Sequence, residues 1–236
     1  MNFNRNAGVL LHVTSLPSPY GVGTLGTAAY SFVDWMEKAG LKIWQVLPLV
    51  PTNYGDSSYQ SVSSTALNYY MIDLDILHKK GLLKKKDYET RKFCEYAGKV
   101  NYSLLFTEKT DVLRLAFEKF NTRDARFIQF EKDGNYKDFA VFMTIKAMHK
   151  YEPWNLWSEK YRTYSEDLEK EIIKNYQRDY LFWVWTQFEF LDEWNELHAY
   201  AKEKEIEIMG DMPLYVAYDS VEVWKYPELF VLDEAH

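Results

Sequence analysis

Four side chains in two stretches stand where parallel α/β proteins usually do their chemistry. Residues 51–61 read Pro-Thr-Asn-Tyr-Gly-Asp-Ser-Ser-Tyr-Gln-Ser. This long loop follows an apolar run and offers the Ser57 hydroxyl with the rings of Tyr54 and Tyr59. A later apolar run, residues 206–211, ends on Asp211. Loops at the C-terminal ends of parallel strands build the site in such folds, so these residues are its candidates. His12 ends an earlier run and could face a cleft, although a satisfied core histidine is the simpler reading. The histidines, at positions 12, 78, 149, 198 and 236, lack metal-ligand spacing. Asp133-Gly134-Asn135 is a turn without the calcium-loop pattern. Asp73 and Asp75, two apart, suit turn capping better than cation binding. No glycine-rich phosphate loop precedes a helix.

The elements that must position these groups begin with residues 7–13, a short apolar run that reads as a fully buried strand. A turn-rich loop follows, with Ser15, Pro17, Ser18, Pro19, Gly21, Gly23 and Gly26. Residues 28–39 place Ala29, Phe32, Val33 and Met36 at helical spacing, with Gly40 at the expected end. Residues 43–47 form a second buried strand. Strand, helix, strand with short connections is a βαβ unit and implies a parallel sheet. Residues 75–178 are rich in Lys, Glu, Tyr and Phe and poor in Gly and Pro. Within them, 104–120 and 137–150 are expected helical, and Lys84-Lys85-Lys86 is a solvated turn. Residues 180–204 read as a long helix with Trp185, Phe188, Leu191, Trp194, Leu197 and Ala201 on one face. Residues 206–211 are the third strand. The domain reading is therefore 1–74 for the first strands and their loop, 75–178 for a helical insertion, and 179–236 for the continuation.

Composition narrows the partners. With 28 Lys+Arg against 35 Asp+Glu, the net charge is −7. That balance argues against nucleic acid and against an anionic membrane surface. The longest apolar run has five residues, 181–185, far short of the roughly 20 needed to span a bilayer. One cysteine, Cys94, gives no internal disulfide. A soluble cytoplasmic protein is expected. The 17% aromatic content suits carbohydrate clefts, where ring faces stack on sugars, although burial is the commonest role of any single ring.

Four ordered blocks carry a family resemblance. Gly8-Val9-Leu10-Leu11-His12-Val13-Thr14-Ser15-Leu16-Pro17, with Tyr20-Gly21-Val22-Gly23, resembles the opening of the 4-α-glucanotransferases, also called amylomaltases or disproportionating enzymes. Trp44-Gln45-Val46-Leu47-Pro48-Leu49 is similar to that family's second strand. Tyr54-Gly55-Asp56-Ser57-Ser58-Tyr59-Gln60-Ser61 resembles its first substrate loop. Residues 210–220, then Val223-Trp224 and Pro227-Glu228-Leu229-Phe230, resemble the block around its third strand. Two departures stand out. Thr24-Leu25-Gly26 replaces an expected Asp-Leu-Gly, and Ala66-Leu67-Asn68-Tyr69-Tyr70 lacks the Gly and Pro of an expected Gly-Asn-Pro.

The resemblance implies the N-terminal part of a (β/α)8 TIM barrel with a large helical insertion. It implies transfer of α-1,4-glucan segments between maltooligosaccharides by retaining double displacement. No cofactor or metal is implied, because carboxylates supply both the nucleophile and the proton. By resemblance Tyr59 is a stacking platform, Ser57 a nearby hydroxyl, Asp211 an acceptor for glucose hydroxyls, and Tyr54 a contact outside the main cleft. The family's nucleophile lies in an Arg-x-Asp-His-Phe-like strand, which this sequence does not contain. The catalytic carboxylates are therefore expected beyond His236, in a missing C-terminal half. The chain alone is expected to be inactive and poorly folded, with open strand edges. The alternatives are a non-catalytic binder of glucan through Tyr54, Tyr59 and Trp44, or a retaining α-glucan hydrolase.

Overall fold

The computed structural model describes residues 5–53, 55–96 and 98–232. The chain forms two compact units, each assembled from three separated segments. The first comprises Met1–Leu49, Asn68–Phe120 and Glu189–Met212, and the second Val50–Leu67, Asn121–Phe188 and Pro213–His236.

In the first unit β1 (Gly8–Leu10), β2 (Ile43–Gln45) and β4 (Glu207–Met209) form a parallel sheet in the order β1-β2-β4. The helix α1 (Thr27–Lys38) links β1 to β2 and buries Ala29, Val33 and Met36, as its spacing predicts. Trp44 at the sheet centre is fully buried, meets the Phe32 ring edge-on at 5.1 Å and donates its indole N–H to the Leu11 carbonyl at 2.7 Å. The register aligns Gly8, Ile43 and Glu207, then Leu10, Gln45 and Met209. These residues share one sheet face because side chains alternate along a strand. Leu10 is 54% and Met209 48% exposed. The reading of β1 as a fully buried strand is thus corrected. Its Val9 face is covered more than its Leu10 face, because no described layer lies over the Leu10, Gln45, Met209 row. The strand is also shorter than the apolar run, since Val13–Ser15 turns into a 3-10 helix.

Asp73 starts α2 (Leu74–Lys79), its carboxylate accepting from the N–H groups of Asp75 and Ile76 at 3.0 Å. This is the capping role expected of the pair, and of the two Asp73 performs it. Asp75 accepts the hydroxyls of Tyr20 at 2.5 Å and Tyr88 at 2.7 Å. A helical run follows: α3 (Tyr102–Leu104), a π-helical turn (Leu105–Lys109) and α4 (Thr110–Phe117).

In the second unit β3 (Gln60–Ser61) and β5 (Tyr215–Val216) form a two-stranded parallel ladder. Around it stand α5 (Ala125–Asp133), α6 (Lys137–Met148), α7 (Glu159–Arg162), α8 (Glu166–Asn175) and α10 (Val221–Lys225). Residues 139–146 of α6 are buried all round, as a central helix requires. The helix α9 (Gln177–Glu203) contributes to both units. It is not amphipathic throughout, as the single-face reading supposed. Residues 182–190 are buried on every side, and only beyond them does a stripe with Leu197 and Ala201 emerge.

Candidate functional site

In the second unit the loop between β2 and β3 is closed at its base. Thr52 bridges Ser61 in antiparallel fashion. The Ser61 hydroxyl lies 2.5 Å from the Pro51 carbonyl and 2.6 Å from that of Ser63. Within the loop the Asp56 N–H donates to the Asn53 carbonyl at 2.9 Å. Gly55 and Asp56 have φ of +93° and +58° there. Gly adopts this left-handed backbone freely, and a short polar side chain tolerates it. The Ser57 oxygen accepts the Tyr59 N–H at 3.2 Å, and the Ser57 carbonyl accepts the Gln60 N–H at 3.2 Å. The turn thus holds the half-buried Ser57 and Tyr59 together. A hydroxyl that accepts one bond still has its proton to donate, so Ser57 can both orient the Tyr59 backbone and serve a bound hydroxyl.

The loop is tied to the segment that follows β5. The Ala217 N–H donates to the Ser61 carbonyl at 3.0 Å and the Val221 N–H to that of Val62 at 2.9 Å. The Asn53 amide donates to the Asp219 carbonyl at 2.6 Å. The Asp219 carboxylate accepts from the Lys146 ammonium and, at 3.1 Å, from the Trp154 N–H. The Trp154 indole donates to the Tyr218 carbonyl at 2.8 Å, and the two rings lie 5.3 Å apart. Lys146 is 6% exposed, and burial pulls its ammonium below the ordinary lysine range while Asp219 opposes that shift. Glu222 holds the far side of the loop, accepting the Ser64 N–H and hydroxyl, each at 2.7 Å.

The first unit carries the other candidates. Asp211 does not end a strand. It lies two residues beyond β4, exposed in irregular backbone. The ladder ends at Met209, and Gly210 stands between them. His12 lies just past β1, 8% exposed, and its Nδ1 has no hydrogen-bond partner among the described residues. It is a core histidine, but the expected satisfaction of that nitrogen is absent. Burial pulls it down to about pH 4.

A buried ionic cluster underlies the first loop of that unit. The Thr24 hydroxyl donates to Asp73 at 2.6 Å, and the Asp73 N–H donates to Glu193 at 2.9 Å. Lys109, in the π-helical turn, is fully buried and donates to the Tyr70 carbonyl at 2.5 Å. Burial brings Lys109 down to about 8, against the pull of Asp73 and Glu193. Burial also raises Glu193 well above the ordinary glutamate range, with Asp73 adding to that rise. Thr24 is one of the two sequence departures, and here it supplies a hydroxyl where a second carboxylate would face Asp73.

Ser57 and Tyr59 therefore share one turn of the second unit, Asp211 belongs to the first, and Tyr54 lies outside the described residues. Trp44, offered as a glucan contact in the binding alternative, is sealed in the sheet core and presents no face to a ligand. Sequence reading missed Asn53, Lys146, Asp219, Lys109 and Glu193. Two of these had a signal. Leu105, Lys109 and Leu113 are four apart on one helical face, and Glu189 and Glu193 fall in the four-apart series Trp185 to Leu197 and Ala201, so charges sat on apolar stripes. Among the described residues no group of three His, Cys, Asp or Glu side chains could hold a metal ion. Among the same residues no helix is long and apolar enough to cross a membrane.

Comparison with known proteins adds four findings. A family model described as 4-alpha-glucanotransferase matches residues 11–236. The 4-alpha-glucanotransferase of Clostridium butyricum is 43% identical over 228 residues, covering 95% of this chain and 47% of that protein. The Thermus thermophilus 4-alpha-glucanotransferase is 41% identical over 241 residues, covering 99% and 47%. Among solved structures, an amylomaltase from Streptococcus agalactiae in complex with acarbose matches with a TM-score of 0.90 and 39% identity, covering 98% of this chain and 48% of that one. The chain spans about half the length of the curated relatives it matches.

Proposed function

We propose a function from one premise: this chain belongs to the 4-alpha-glucanotransferase family. The complete protein is read as an enzyme that transfers α-1,4-glucan segments between maltooligosaccharides. A carboxylate attacks the anomeric carbon, a second carboxyl protonates the leaving oxygen, and a sugar hydroxyl then captures the intermediate with retention. Neither carboxylate is assigned to a residue of this chain. The reading puts both in the half of the relatives' length that the chain does not span.

The chain's share of the work is substrate contact, read in each unit by itself. Tyr59 gives a ring for a sugar face and Ser57 a donor hydroxyl, held in register by the Tyr59 N–H to Ser57 bond. Asp211 gives an exposed acceptor for sugar hydroxyls, and Tyr54 a further ring. The row of exposed Leu10, half-buried Gln45 and exposed Met209 is read as barrel interior, to be covered when further strands complete a (β/α)8 barrel. The observation that carries the reading is identity near 40% running through 95–99% of the chain.

Maltotriose tests it. The chain supplied with the remaining half of a family member should release glucose and longer oligomers while total reducing ends stay constant. Rising reducing ends would mean hydrolysis instead, because only water as acceptor creates a new end. Absence of any product from a folded, assembled pair would overturn the assignment.

A further inference from the structure

The loop that carries Ser57 and Tyr59 has no regular structure of its own, yet binding a sugar ring needs its groups held to within a fraction of an ångström. Its base is closed by the Thr52–Ser61 bridge, but that bridge does not reach the turn formed by Asn53 and Asp56. The side chain that reaches out from the turn is Asn53, and it donates to the carbonyl of Asp219, 166 residues away in sequence. That carbonyl is an anchor only if the Asp219 backbone is itself fixed. The Ala217 and Val221 N–H bonds hold the segment on either side of it, and its own carboxylate fixes the residue itself, accepting from the buried Lys146 ammonium of α6 and from the Trp154 N–H. Lys146 also donates to the Glu152 carbonyl at 3.2 Å, and the Phe142 ring lies 5.7 Å from its nitrogen.

We propose that Asp219 is the positioning residue of the substrate loop: its carboxylate clamps it to Lys146 and Trp154, and its carbonyl, so held, receives Asn53 and fixes the Ser57–Tyr59 turn. The inference rests on the functional reading above for what the loop binds, and on this geometry for how the loop is held. Neither Asp219 nor Lys146 is given a direct contact with glucan. Removing the carboxylate leaves Lys146 as a buried charge without its counter-charge, so the 217–220 segment must shift to let water or another acceptor reach it. The Asn53 bond is then lost although neither of its atoms has been changed.

The test is hydrogen exchange on this chain assembled with the remaining half of a family member, read at the amides of Asp56 and Gln60, which close the two turns inside the loop. Asn53→Ala should speed exchange there roughly five- to tenfold, the loss of about one net hydrogen bond from local opening. Asp219→Asn should do the same while α5 and α8 amides stay protected. The double variant should exchange no faster than either single, because both act on one link. Additive effects, or an unchanged loop in either single, would overturn the proposal. Should Asp219→Asn fail to fold, its combination with Lys146→Met removes charge and counter-charge together and is read in its place. A maltotetraose titration runs in parallel. Both singles should weaken binding severalfold, and full-strength binding would overturn the link between loop position and ligand. If the unaltered chain binds no maltotetraose, the ligand reading of this loop fails, while the exchange data still decide whether Asp219 holds it.

Discussion

At pH 7 the His12 ring is neutral, and acid should make it a liability that a single substitution removes. The ring is 8% exposed, and its Nδ1 finds no partner among the described residues. An imidazolium there would have a donor with nothing to accept it and little water around its charge. That is why its folded value falls from 6.5 to about 4. Each unit is about 1.36 kcal/mol, so full acidification is worth roughly 3 kcal/mol. The sign follows from proton uptake. Between pH 6.5 and 4 the unfolded chain binds a proton at His12 that the folded chain refuses, so this stability is present above 6.5 and lost as pH falls toward 4. His12→Leu takes the titrating ring away. Urea unfolding followed by tryptophan fluorescence, run at pH 7 and pH 4 on both proteins, should show the wild type losing about 3 kcal/mol more than the variant. Other titrating groups act alike in both proteins and drop out of the difference. Equal pH dependence in the two proteins, or a His12 ring resonance that titrates near 6.5 in the folded chain, would refute the reasoning.

Two further outcomes follow from close contacts in the first unit. A Cβ added at Gly23 would stand 1.9 Å from the Val13 carbonyl oxygen and 2.9 Å from the Leu16 nitrogen. Both are backbone atoms, so Gly23→Ala should cost at least about 2 kcal/mol in urea unfolding, and an unchanged midpoint would mean the turn is looser than this. Glu193 has a raised value, so its contribution to stability is full below 4.5 and is lost as pH rises. Glu193→Gln should therefore match the wild type near pH 4 and become progressively more stable than it toward pH 8. A gap that does not widen with pH would count against a protonated, buried Glu193.

How much could be seen in the sequence depended on how many residues each feature used to announce itself. The β1-α1-β2 unit was legible because α1 spreads Ala29, Val33 and Met36 over about two turns between two apolar runs. The ladder of β3 and β5 was not, because Gln60-Ser61 and Tyr215-Val216 are too short for alternation to show. Asp211 was displaced by two residues for a related reason. A strand's end is set by its partner's length, and β2 stops pairing opposite Met209. The all-round burial of residues 139–146 was hidden because a central helix has no polar face to mark its period. In the candidate site, Ser57 and Tyr59 came from their place in the loop and from resemblance. Asn53 and Asp219 could not come from either, since each matters through a partner 166 residues distant. Lys109 and Glu193 were within reach, had charges on apolar stripes been read as buried rather than as interruptions of a solvated face.

Both sheets wait for the same short stretch of chain. β4, at residues 207–209, pairs with β2, and β5, at residues 215–216, pairs with β3. During synthesis at about 5–20 residues per second, β2 and β3 spend on the order of ten seconds or more emerged but without these partners. Contacts so distant in sequence also close slowly once all their parts exist. Until then the edges that β2 and β3 will offer to β4 and β5 stay open to mispairing. A protease cut just before residue 207 would leave β4 and β5 on a different piece of chain from the strands they pair with.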